Sequence, residues 1–223
     1  MPDKDGPVRI TKLGHACVRL EQDGATLVID PGGFTEPGAA EGADAVAVTH
    51  EHADHLDLDQ LRAAARANPD LAVYTNADIA ARLAATDDLG ARIVTVAHGD
   101  TPRIAGFDVH VYGARHAVIH DDIPVIANVG FRVVGTDGAL FHPGDALTVP
   151  EDPVDTLLLP VQAPWSKIAE VADYTRAVRP RSTIAIHDAL LSELGAGVYQ
   201  RNLNALLPDS GYERLHPGQS REF

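Results

Sequence analysis

Three histidines and an aspartate fall within six residues of this chain, in Thr49-His50-Glu51-His52-Ala53-Asp54-His55. An apolar run over residues 45–48 leads into the segment, and a helix is expected after it. A solvated polar loop has little use for clustered imidazoles at the end of a buried strand, whereas a borderline transition metal takes imidazole and carboxylate readily. Alternate residues of an extended segment share a face, so His50 and His52 can aim the same way, with Asp54 and His55 on the turn into the helix. A catalytic ion takes at least three protein ligands and keeps a further position open for water. Four loop donors therefore cannot complete two ions, and more must come from elsewhere.

Polar residues at the ends of later strand-like runs supply candidates: His116 after residues 107–112, Asp145 in His142-Pro143-Gly144-Asp145 after 138–141, and His187 after 183–186. Layered α/β folds gather ligands at such strand ends. Each alone reads as a hydrogen-bonded histidine or a Gly-Asp turn; together with the loop they make seven donors. His120, four residues beyond His116, has three readings: the ligand in place of His116, a proton donor to a leaving group, or a surface residue. His15, also close to a motif, has two readings, a supporting residue of the cleft or a surface residue. His98 and His142 read as structural, and Trp165 as packing more than as a pocket wall. Cys17, the single cysteine, reads as a small buried hydrophobe.

These donors need a frame. Residues 8–13, 16–21 and 26–30 read as antiparallel strands, with Asp23-Gly24 a strong hairpin signal. Residues 45–49, 71–74 and 92–96 then alternate with helices at 57–67 and 78–85, the second capped by its own Asp78. The second half repeats the grammar. Strands at 107–112, 128–134 and 138–141 precede a strand at 156–159, a helix at 167–178 capped by Ser166, and a strand at 183–186. Hairpins first and β-α alternation later, in both halves, predict two mixed sheets packed face to face with helices outside, an αββα sandwich in one domain over residues 1–223.

With 223 residues, 45% of them apolar and 22% charged, the chain can bury a large core without disulfides. The formal charge of −14 disfavours extended nucleic-acid binding, although divalent cations would reverse the field in one cleft and admit a small anionic substrate. The opening segment carries charge and prolines where a secretory signal is apolar, and no run has the length to span a bilayer, so a cytoplasmic protein without membrane contact is expected. Oligomeric state stays open, because an interface stripe reads like core.

In order along the chain, Leu13-Gly14-His15-Ala16, Leu27-Val28-Ile29-Asp30-Pro31-Gly32, the His50–His55 motif, Ala114-Arg115-His116-Ala117, Pro143-Gly144-Asp145 and Ile186-His187-Asp188 resemble the metallo-β-lactamase superfamily. Within it the chain is similar to the single-domain branch that includes ascorbate-6-phosphate lactonase. The resemblance implies that His50, His52 and His116 hold one metal, that Asp54, His55 and His187 hold a second, and that Asp145 bridges them. Asp30 would hydrogen-bond the metal loop. It further implies hydrolysis of a small ester, lactone or phosphoester by a bridging hydroxide, with two divalent ions, zinc first and manganese or iron open because Asp54 and Asp145 are hard donors. A metal-binding or sensing protein with little turnover, or a phosphodiesterase or nuclease, is the alternative.

Overall fold

A computed structural model describes residues 6–85, 89 and 91–223. The first five residues, which include every charged residue of the opening read above against a secretory signal, lie outside them.

The chain opens with an antiparallel meander, β1 (Arg9–Gly14), β2 (Cys17–Gln22) and β3 (Ala25–Ile29). Asp23 and Gly24 turn β2 into β3 with φ of 51° and 80°, the left-handed pair that a tight hairpin needs. After β3 the sheet becomes parallel: β4 (Ala45–Val48), helix α1 (Leu58–Ala67), β5 (Ala72–Thr75), helix α2 (Ala77–Ala84) and β6 (Arg92–Thr95). The second half repeats the change. Strands β7 (Arg103–Ile104), β8 (Phe107–Tyr112), β9 (Gly130–Val134) and β10 (Ala139–His142) are antiparallel neighbours. Strand β11 (Thr156–Pro160), helix α3 (Ile168–Val178), β12 (Ser182–Ile186), helix α4 (Glu193–Leu206) and β13 (Tyr212–Glu213) continue in parallel pairing. The last strand, β14 (Ser220–Glu222), returns to pair with β1.

Among the described residues two seven-stranded sheets result, ordered β14-β1-β2-β3-β4-β5-β6 and β13-β12-β11-β10-β9-β8-β7. Alternation along the strands decides which side chains meet between them. Leu20, Leu27, Ile29 and Ala47 of the first sheet pack in one core with Val109, Val111, Phe131, Val133 and Ile184 of the second. The intervening residues face outward under helices: Val28, Val46 and Val48 meet Leu61 of α1 and Ile79 of α2, while Leu157, Leu159 and Ala185 meet Val171 of α3 and Leu203 of α4. Buried on both faces, β4 is apolar throughout, as its unbroken Ala45–Val48 run requires. This is the expected αββα sandwich.

Two helix starts differ from the sequence expectation. Asn76, not Asp78, caps α2: its side chain accepts the amides of Asp78 and Ile79 at 3.1 Å each, and Asp78 lies in the first turn. Ser166 does not cap α3 either. Its hydroxyl accepts the Ala163 amide at 3.0 Å, closing a turn, and the Glu170 carboxylate accepts the Lys167 amide at 3.2 Å to start the helix. Helix α4 and the short β7, β13 and β14 were not expected from the sequence.

Candidate metal centre

The functional side chains come from strand ends and turns along one rim of the sandwich. His15 lies on the two-residue turn between β1 and β2, Asp30 follows β3, and the His50–His55 segment follows β4. His116 lies beyond β8, Asp145 beyond β10 and His187 beyond β12. Two donor groups form there: His50, His52, His116 and Asp145 in one, His15, Asp54, His55 and His187 in the other, each with its ligand atoms within 4.8 Å of one another. All seven residues proposed from sequence as ligands are thus brought together, and His15 joins them. His120 stands outside both groups; its side chain is 66% exposed, and its Nδ1 accepts the Asp122 amide at 3.1 Å.

Hydrogen bonds sort the ring nitrogens. His55 donates from Nδ1 to Asp30 Oδ2 at 2.7 Å, His116 to the Ala117 carbonyl at 2.6 Å, and His187 to the Gln162 carbonyl at 2.6 Å. Because those partners only accept, each Nδ1 carries the proton and each Nε2 keeps a lone pair. His50 is set likewise through one more step: the Thr49 hydroxyl gives its proton to Asp30 Oδ2 at 2.7 Å and so accepts from His50 Nδ1 at 2.9 Å. His50 Nε2 and His52 Nδ1 then face each other at 3.1 Å. Asp30, with φ of 53°, therefore fixes two rings and also accepts the Thr49 amide at 2.8 Å.

The freed atoms are buried and unpartnered. Among the described residues, the buried side-chain atoms lacking a hydrogen bond include His55 Nε2, His116 Nε2, His187 Nε2 and Asp145 Oδ1. His55 Nε2 is 3.1 Å from Asp145 Oδ1, and His187 Nε2 is 3.1 Å from Oδ2. Lone pairs at that distance repel unless a cation lies among them, so the donor set fits a metal. Without a metal the demand falls on protons. Burial alone would lower the His187 and His55 pKa values, yet the facing carboxylates outweigh it, pushing His187 up to about 9 and His55 well up. Burial would likewise raise Asp145 and Asp54, but the surrounding rings hold both below the usual carboxylate range. His50 and His52 move down instead, through burial and neighbouring imidazoles.

Several supporting residues were not singled out as such in the sequence. Trp165, read mainly as packing, donates its indole N–H to Asp145 Oδ2 at 2.9 Å, and its ring lies 6.2 Å from that of His116. Asn128 accepts the Asp145 amide at 3.0 Å and donates to the Pro143 carbonyl at 2.9 Å. These contacts join residues far apart in sequence, so no local pattern announces them. The two histidines read as structural behave so: His142 is bonded at both nitrogens, to Ala16 O at 2.8 Å and the Gly144 amide at 3.1 Å, and His98 accepts the Gly113 amide at 3.2 Å.

A sandwich of two mixed sheets with a histidine-aspartate rim defines a class, and the comparisons agree: a family model described as a beta-lactamase superfamily domain matches residues 9–187. The chain belongs to the metallo-β-lactamase superfamily. It is 37% identical to Protein Rv0786c of Mycobacterium tuberculosis, over 89% of this chain and 92% of that protein. It is 27% identical to a UPF0173 metal-dependent hydrolase of Aeropyrum pernix, over 96% of this chain and 97% of that one. Among solved structures, the metallo-beta-lactamase fold protein YhfI from Bacillus subtilis superposes with a TM-score of 0.76 at 16% identity, covering 98% of this chain and all of that one, a likeness of fold.

Proposed function

We propose that this protein is a metal-dependent hydrolase that binds two divalent ions at the rim and cleaves a small ester, lactone or phosphoester. The observation that carries the reading is the convergence of three unpartnered Nε2 atoms and one unpartnered carboxylate oxygen of Asp145 in a buried space. His50, His52 and His116 would hold one ion, Asp54, His55 and His187 the other, with Asp145 between them. When bound, such a pair supplies Lewis acidity, lowering the pKa of water toward neutrality and polarising a carbonyl or phosphoryl oxygen. The chain's own part is orientation. Asp30, Thr49 and the Ala117 and Gln162 carbonyls hold four rings in the ligand tautomer, and Trp165 pins Asp145. No serine or cysteine nucleophile is required, which fits Cys17 being fully buried with its thiol pKa pushed well up by that burial. A hydrolase is favoured over a metal-binding or sensing protein with little turnover by the name its Aeropyrum relative carries.

Purified protein remetallated with excess zinc or manganese is expected to hold close to two ions. It should then hydrolyse at least one member of a chromogenic panel of esters, lactones (an ascorbate-phosphate lactone among them) and phosphodiesters. A stoichiometry that stays near one refutes the dinuclear reading. Full loading without metal-dependent turnover across the panel refutes the hydrolase.

A further inference from the structure

His15 lies in the second donor group, its Nε2 3.1 Å from Asp54 Oδ2. Two ligands of one ion at bonds of about 2.0–2.2 Å are separated by a similar distance, so spacing alone leaves its role undecided. The far nitrogen decides it. In His55, His116 and His187 the Nδ1 atom faces an acceptor, which places the proton there and frees Nε2. In His15 the polarity is inverted: Nδ1 faces the backbone amide of Ala189 at 3.3 Å and accepts its hydrogen. A neutral ring that accepts at Nδ1 carries its proton on Nε2. His142, bonded at both nitrogens, shows the same polarity, accepting the Gly144 amide and donating to Ala16 O.

We infer that His15 is not a ligand of the second ion but a positioning residue that donates Nε2–H to the Asp54 carboxylate and orients its other lone pairs toward the ion. The inference rests on the metal reading above. Its surroundings fit a fixed rather than an exchangeable ring. His15 is 2% exposed on a turn with φ of 36°, its carbonyl accepts the His187 amide at 3.0 Å, and its ring lies 4.1 Å from that of His187 and 5.3 Å from that of Phe34. The turn between β1 and β2 thus bonds to both sides of the second group, Asp54 through the ring and His187 through the backbone.

The test pairs two variants with a measurement on the parent. His15→Gln keeps a side-chain N–H within reach of Asp54, and His15→Ala removes it. Competitive zinc titration should show the second ion's affinity falling about 10–100-fold in His15→Ala and returning to within a few-fold of the parent in His15→Gln. An equal loss in both variants overturns the inference. Independently of any variant, ring nitrogen spectra of the 113Cd-loaded parent should show cadmium coupling at His55 and His187. His15 should show an uncoupled, protonated Nε2. Cadmium coupling at either nitrogen of His15 overturns the inference alone, while a parent that takes up no cadmium or zinc sinks the metal reading and this inference with it.

Discussion

Asp145 offers two carboxylate oxygens to three imidazoles and an indole: His55 on Oδ1, His187, His116 and Trp165 on Oδ2, the longest contact being His116 at 3.4 Å. An amide in its place turns one of those acceptors into a donor and is a poor bridge between ions. Asp145→Asn should therefore keep its fold while turnover falls at least about a hundredfold, measured on the best panel substrate. Parent-like rates in this variant would remove Asp145 from the centre. His116 and His120 separate by a different pair of quantities. His116→Ala takes away a buried Nε2 and should cost metal content, whereas His120→Ala alters an exposed ring outside both groups and should leave metal content near the parent's. If His120 donates a proton to the leaving group, poor leaving groups should slow more than activated ones in that variant. Metal lost from the His120 variant and kept in the His116 variant would move the ligand four residues along the chain. That these seven residues meet at one rim could be read from sequence because four fall within six residues and three follow strand ends. The Trp165 contact could not, since its partner lies 20 residues away, and neither could that of His15, 39 residues from Asp54.

Each strand end carries its donor on a short turn, and the turns are packed against one another. Gly32 shows how tightly: a Cβ there would lie 1.9 Å from the Asp54 carbonyl oxygen and 2.4 Å from the His55 amide nitrogen. Gly32→Ala has to push the 52–55 turn away from the loop after β3. A destabilisation of about 1–3 kcal/mol is expected from overpacking, with second-ion affinity weakened because both Asp54 and His55 move. Chemical denaturation and zinc titration check the two effects, and an unchanged affinity would show that the turn does not place those ligands. The longer strands were legible to within a residue or two, β1 and β8 from their alternation, β4 and β11 from their unbroken apolar runs, and the hairpins from their Asp-Gly and Gly-Thr-Asp-Gly turns. The cap of α2 was misread because Asn76 and Asp78 are both good caps and only the extended backbone at Asn76, ψ of 166°, decides between them. Helix α4 escaped because Gly195 and Gly197 interrupt it and Leu194 and Val198 are exposed, which blurs its apolar stripe.

For the molecule as a whole, the rim couples stability to pH in a direction that depends on loading. In chelated protein the folded state holds protons on His187, at about 9 against an ordinary 6.5, and on His55, while the unfolded chain has released them. A pKa raised by folding contributes fully below the unfolded value and is lost as pH rises through the folded one. The melting temperature of the chelated protein should therefore fall between pH 7 and pH 9 by several degrees, at roughly 2–4 °C per kcal/mol for a chain of this size. His50, whose pKa is lowered, acts only below its ordinary value and does not offset this window. Metal uptake should strengthen over the same pH range, because ions displace those protons. A melting temperature that rises from pH 7 to pH 9 without metal would contradict the charge balance described for the rim.

The donors divide between the two sheets: His50, His52, Asp54 and His55 follow β4 of the first, while His116, Asp145 and His187 follow β8, β10 and β12 of the second. Each proposed ion thus takes ligands from both halves. Two ions held there would act as a clasp across the sandwich, and the halves would have to surrender them before parting to expose Phe131 or Leu27. Unfolding of the loaded protein then becomes a matter of waiting. Its lifetime would be set by how often the rim lets an ion escape, and free metal in solution would lengthen that lifetime by recapturing the site before the sheets separate.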